Sequence, residues 1–166
     1  IGCVIGLEYT NPYLSPYHEF QKLKTHPEIR KLLEGGECIG YGARAINEGG
    51  YQSVPKLSFP GGVLAGCSAG FVNVPKVKGS HYAMKSGILA AENIFPKVKQ
   101  QIDDGIDIVD TKTINAEEYD KAVRDSWIMK ELYNIRNVKP AFNYGRIPGL
   151  LHSGITTVLT KGKEPW

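Results

Sequence analysis

An α+β fold is predicted for this chain by three observations. Short apolar runs bounded by turn residues alternate with stretches in which apolar residues recur at helical spacing. The helical stretches open on cap residues. Of 19 glycines and 10 prolines, 12 glycines and three prolines lie in residues 35–87, where extended segments have to turn.

The elements follow in order. Residues 1–9 (IGCVIGLEY) mix small and β-branched apolar residues and run into Asn11-Pro12, which predicts a strand and a turn. Ser15-Pro16 supplies an N-cap and a first-turn proline for a helix carrying Tyr17, Phe20 and Leu23, which His26-Pro27 ends. A second short helix has Ile29, Leu32 and Leu33 as its apolar face and Gly35-Gly36 as its stop. Residues 38–45 and 51–57 read as extended, and residues 63–66 as a buried strand. A helix capped by Ser80 is expected to run through Met84, Ile88, Ala91 and Ile94 to Pro96.

Residues 97–115 are polar and read as a solvated connection. Its acids Asp103, Asp104, Asp107 and Asp110 lack the spacing of an EF-hand loop, so no metal site is assigned. Asn115 with Glu118 forms a capping-box pattern opening a long helix whose stripe of Tyr119, Val123, Trp127, Ile128, Leu132 and Ile135 is read as core. Residues 140–166 mix apolar residues with Arg146, His152, Lys161 and Lys163, and predict either an amphipathic segment in a membrane interface or a hairpin packed on its own domain.

The 166 residues are 42% hydrophobic and 22% charged, with a net charge of +3 and a mean hydropathy of −0.25, as in an ordinary globular protein. That charge is too small and too evenly spread for a nucleic-acid footprint. No apolar run approaches the roughly 18 residues of a membrane-spanning helix. Cys3, Cys38 and Cys67 include no close pair, which argues against a disulfide framework, a zinc ribbon or an iron–sulfur cluster held by this chain alone and fits a reducing compartment. No targeting peptide is recognisable, and Ile1 in place of Met is expected of a processed or truncated chain.

One stretch asks for a chemical explanation, residues 66–80 (GCSAGFVNVPKVKGS), between the buried strand and the helix. Gly66 and Gly70 permit close backbone approach, and Gly79-Ser80 opens a helix whose first N–H groups and positive dipole end favour negative charge. The anion can be a phosphate or the charge developing on the N1/O2 edge of a reduced flavin. The stretch has neither the GxGxxG fingerprint nor a Walker A sequence, which weakens the phosphate reading, and an ordinary strand-to-helix connection remains the simpler alternative.

Residues 66–92 (GCSAGFVNVPKVKGSHYAMKSGILAAE) closely resemble the second flavin-binding motif of the electron transfer flavoprotein-ubiquinone oxidoreductase family. The resemblance continues in the same order through residues 6–16 (GLEYTNPYLSP), 41–45 (YGARA), 49–57 (GGYQSVPKL), 126–127 (SW), 130–133 (KELY), 136–137 (RN) and 164–166 (EPW), and is weakest over 97–115. The first of these stretches and the region from Trp127 to Trp166 speak against a flavoprotein of the geranylgeranyl reductase type.

The resemblance implies a central fragment of a flavoprotein oxidoreductase that passes electrons from reduced electron transfer flavoprotein to ubiquinone at the matrix side of the mitochondrial inner membrane. It implies pieces of two domains: a glutathione-reductase-like FAD-binding domain and a mixed-sheet ubiquinone-binding domain. Residues 1–40 would belong to the ubiquinone-binding domain, and 41–95 would return into the FAD domain with the second flavin motif. Residues 96–115 would connect, 116–139 form a helix, and 140–166 face the membrane. FAD contacts are expected from Gly66, Cys67, Ser68, Gly70, Phe71, Asn73, Lys78, Gly79 and Ser80. Quinone- or membrane-facing positions would be Tyr144, Ile147, Pro148, Leu150 and Leu151.

No covalent catalytic residue is implied. The segment holding the ADP half of FAD and the ligands of the family's 4Fe-4S cluster are not among these residues. The isolated chain is therefore expected to be inactive, completed by the rest of the enzyme or by a companion chain. Its rival role is that of a structural or docking subunit without redox activity of its own.

Overall fold

A computed structural model describes residues 1–106 and 114–165. The chain separates into two units, Ile1–Arg44 and Ala45–Trp166.

In the first unit, α1 (Pro16–Thr25) starts where the sequence predicts: the Ser15 hydroxyl accepts from the His18 amide at 3.4 Å, and Pro16 takes the first turn, where no N–H is needed. His26 ends α1 and caps α2 (Pro27–Leu33), its Nδ1 accepting from the Glu28 amide at 3.3 Å. Gly35 follows in the left-handed region, the usual helix stop. Neither helix contains a buried residue, and the pairs Lys22–Glu19, Lys31–Glu28 and Arg30–Glu34 lie on exposed faces. Residues 1–9 and 38–45, read from sequence as extended strands, are irregular. A strand needs a second backbone to receive its N–H and C=O groups, and none pairs with these segments among the described residues.

The second unit carries the core. Leu57, Phe71, Tyr82, Tyr119, Val123, Ile128 and Leu132 are fully enclosed. Its sheet has two short antiparallel strands, β1 (Ser58–Phe59) and β2 (Gly62–Val63), paired Ser58 with Val63 and Phe59 with Gly62. The strand expected over 63–66 is cut short because Gly66 already opens a 3-10 turn, Gly66–Ala69. Residues 51–57, expected as extended, begin with another, Tyr51–Ser53. The fold is thus α+β in class, mostly helical with one small sheet.

The long helix α3 (Ser80–Asp103) differs from expectation at both ends. Gly79, not Ser80, is the N-cap, and Pro96 lies inside the helix. Pro96 removes one helical N–H, but it and Glu92, whose carbonyl loses that donor, are both exposed, so water can replace the bond. Part of the expected 96–115 connection is therefore helix, while Asp107 and Asp110 lie outside the described residues.

The expected single helix over 116–139 is three: α4 (Glu117–Arg124), α5 (Trp127–Asn134) and α6 (Val138–Ala141). Ser126 makes the first break, donating to the Val123 carbonyl at 2.6 Å while accepting from the Ile128 amide at 3.2 Å. Of the expected capping box only half forms. Asn115 Oδ1 accepts from the Glu117 amide at 3.0 Å, and Glu118 turns instead to Lys97. The predicted stripe does pack as core, except that Trp127 stays partly exposed and Ile135 half-buried. The last segment is helical too, which removes the hairpin alternative: α7 (Arg146–Gly154) runs on into a π-helical turn, Ile155–Leu159.

Candidate functional site

The glycine-rich loop 66–80 is held against the start of α3. Gly66 has φ +58°, and a Cβ there would lie 3.1 Å from that of Ala83. Its amide donates to Ser86 Oγ at 3.0 Å, and Ser86 Oγ donates to the Ala83 carbonyl at 3.1 Å. Gly70, at φ +80°, closes the 3-10 turn by donating to the Cys67 carbonyl at 3.0 Å. Cys67 and Ser68 are left exposed at the turn and, with Ala45, Ile46 and Asn47, line an open depression of about 410 Å³.

Beyond the turn the chain enters the core. Phe71 and Asn73 are buried as whole residues, backbone included. Asn73 and Lys78 pair as an isolated antiparallel bridge, with amide-to-carbonyl distances of 2.7 and 3.2 Å. Between them the Lys76 amide donates to Asn73 Oδ1 at 3.2 Å and Val77 adopts φ +52°. The turn delivers an exposed Lys78, a half-buried Gly79 and an exposed Ser80 to the N-terminus of α3, where first-turn N–H groups have no intrahelical acceptor.

A polar and aromatic cluster lies immediately behind this turn. Asn73 Nδ2 donates to the Tyr82 hydroxyl at 3.2 Å, and that hydroxyl donates to Glu131 Oε2 on α5 at 2.8 Å. His81 Nε2 is 3.8 Å from the same carboxylate oxygen, and its ring stacks on Trp127 with centroids 5.6 Å apart and planes within 7°. Burial, reinforced by the hydrogen bond to Glu131, pushes the Tyr82 phenol up to about 12. Tyr119, whose hydroxyl donates to the Leu64 carbonyl at 2.8 Å, is likewise raised by burial to about 12.

Asn47, Tyr82 and Glu131 were not singled out by the sequence reading. Asn47 carried a signal: it stands two residues before Gly49, whose amide it accepts at 2.8 Å in an Asx turn. Nothing local announces Glu131, which lies 49 residues from its partner Tyr82.

Tyr144, Ile147, Pro148, Leu150 and Leu151 are all exposed, and Ile155, Val158 and Leu159 continue the apolar surface along the π-helical turn. The ridge is fixed from beneath. Gly149 is buried against Phe142, where a Cβ would come within 2.6 Å of the ring. Arg136 ties the end of α5 to the chain beyond the ridge, donating to the Gly162 carbonyl at 2.9 Å and the Glu164 carbonyl at 2.6 Å. Burial pushes the Glu164 carboxyl up, but hydrogen bonds from Thr160 and Asn137 and the nearby Arg136 charge outweigh it and hold the group below the usual carboxylate range. No helix among the described residues is long and apolar enough to cross a membrane.

Residues 1–46 match the family described as ETF-QO, ubiquinone-binding. Over 100% of its length the chain is 54% identical to the mitochondrial electron transfer flavoprotein-ubiquinone oxidoreductase of Dictyostelium discoideum, covering 28% of that relative. It is 56% identical to the Caenorhabditis elegans protein of the same name and 52% identical to the Homo sapiens one, again over 100% of the chain and 27% of each relative. The chain belongs to the electron transfer flavoprotein-ubiquinone oxidoreductase family and spans a little over a quarter of the length of the curated relatives it matches.

Proposed function

We propose that these residues form the central part of a flavoprotein that passes electrons from reduced electron transfer flavoprotein to ubiquinone at the matrix face of the mitochondrial inner membrane. The observation that carries the reading is identity above one half, along the whole chain, to enzymes of that name. Residues 1–40 contribute to the ubiquinone-binding domain, 41–95 to a glutathione-reductase-like FAD domain, and 140–166 to the membrane-facing surface. The 4Fe-4S cluster is held elsewhere in the enzyme.

The residues of loop 66–80 suit FAD: left-handed glycines, an exposed Cys67-Ser68 turn over a depression of about 410 Å³, and a helix N-terminus behind an exposed hydroxyl at Ser80. Bound FAD supplies the capacity to take up electrons and hand them on to a quinone. The chain's own groups bind and tune. The loop 66–70 and the Ser80 hydroxyl would hold the cofactor, and the N-terminus of α3 would favour negative charge on its ring. The exposed ridge from Tyr144 to Leu159 gives a shallow apolar contact with the bilayer beside which the quinone is reduced.

The test is a visible absorbance spectrum of the natively purified full-length protein, followed by assay with reduced electron transfer flavoprotein and a short-chain ubiquinone. Flavin bands at one equivalent and quinone reduction are expected. A colourless, fully folded protein would overturn the flavin reading in favour of a docking role. Full activity of the isolated 166 residues would overturn the fragment reading.

A further inference from the structure

The geometry points to Glu131 as a positioning residue for the flavin-facing loop, acting through the Tyr82 hydroxyl on Asn73 and so on the 73–78 turn that sets Lys78, Gly79 and Ser80 at the start of α3. This rests on the proposal that loop 66–80 faces FAD.

The argument is one of hydrogen-bond polarity. An ionised carboxylate can only accept, so Glu131 Oε2 at 2.8 Å obliges the Tyr82 hydroxyl to donate to it. The hydroxyl then has only lone pairs left to offer Asn73, which must present its NH₂ group, and does so at 3.2 Å. With Nδ2 committed, Asn73 Oδ1 is left to accept from the Lys76 amide at 3.2 Å. Reversing the Asn73 amide would set two donors against each other at Lys76. One carboxylate on α5 thus selects the orientation of a buried amide on another segment, and that amide closes the turn.

The burial pattern supports the assignment. Tyr82 is fully enclosed and Asn73 nearly so, so neither can turn to water if its partner is lost, whereas Glu131 is only half-buried and spends a charge on a contact that a core would otherwise fill with carbon. The phenol, raised to about 12 by burial and by Glu131, keeps its proton throughout the physiological range. His81, stacked on Trp127, brings its Nε2 to 3.8 Å from the same carboxylate oxygen.

The test compares Tyr82→Phe, Glu131→Met, Glu131→Gln and Ser80→Ala in the full-length flavoprotein, reading the FAD dissociation constant and the visible circular dichroism of bound flavin, with thermal stability in parallel. Tyr82→Phe and Glu131→Met should each weaken FAD binding by about tenfold, the loss of one charge-assisted hydrogen bond, and alter the flavin dichroism. Glu131→Gln keeps an acceptor and should restore both to near the parent values. The relay is overturned if Tyr82→Phe and Glu131→Met leave affinity and dichroism unchanged while Ser80→Ala alters them. If Ser80→Ala also changes neither, the flavin-facing reading itself fails. Should Tyr82→Phe not fold, Glu131→Met, at a half-buried position, carries the test.

Discussion

Replacing Arg136 by alanine should cost more than any other single truncation outside the apolar core. Arg136 is 8% exposed, and its guanidinium donates to the Tyr133, Gly162 and Glu164 carbonyls at 3.0, 2.9 and 2.6 Å and lies 3.9 Å over the Tyr133 ring. Truncation leaves the Gly162 and Glu164 carbonyls without this donor, at about 1–3 kcal/mol each, and forfeits a ring contact worth about 0.5–1 kcal/mol. The sum, about 2.5–7 kcal/mol, is a large part of the 5–15 kcal/mol by which domains are usually stable. Arg136→Lys keeps the charge but not the planar fork, and should lose about half as much. Urea denaturation followed by tryptophan fluorescence measures both, since Trp127 lies on the helix that Arg136 anchors. A loss under about 1 kcal/mol for Arg136→Ala, or a Lys variant as stable as the parent, would refute the clamp.

Two further outcomes follow. Gly162→Ala should destabilise by about 3 kcal/mol in the same experiment, because Gly162 sits at φ +76° and a Cβ there would fall 2.6 Å from the Asn134 carbonyl oxygen. Stability should fall as pH rises from about 10 to 12, since Tyr82 and Tyr119 keep their protons to about 12 in the folded chain while an unfolded tyrosine ionises near 10. Their contribution is fully present below pH 10. In Tyr119→Phe the loss over that window should shrink, as urea titrations at stepped pH will reveal.

What could be read from the sequence was whatever one or two turns of chain decide. Ser15-Pro16 and His26-Pro27 placed α1 and α2 because a cap and a fixed proline φ are local events. Tyr119, Val123, Ile128 and Leu132 announced their burial through spacing alone, while Trp127 on the same stripe stays exposed. Residues 1–9 look like a strand by composition, but pairing depends on a partner that composition cannot supply. Pro96 would have stopped a helix whose Glu92 carbonyl was buried; exposed, that carbonyl lets α3 continue. At the candidate site the glycines of loop 66–80 were legible because Gly66 and Gly70 need the left-handed region. Asn47 and Glu131 were not, since their relations to Gly70 and Tyr82 exist only after folding.

The Arg136 clamp also gives the apolar ridge a degree of modularity. Residues 137–161 run out from the end of α5 and return beside it, burying Val138, Ala141 and Thr156 on the way, with Gly162 seated against Asn134 and the return held by the Arg136 guanidinium. The outward positions of this helical excursion touch neither Tyr119 nor Leu132 in the enclosed cluster. The ridge can therefore change its size and greasiness by substitution at those positions while the enclosed residues around Tyr119 and Leu132 remain untouched. The composition of that surface can thus change on a timescale independent of the core.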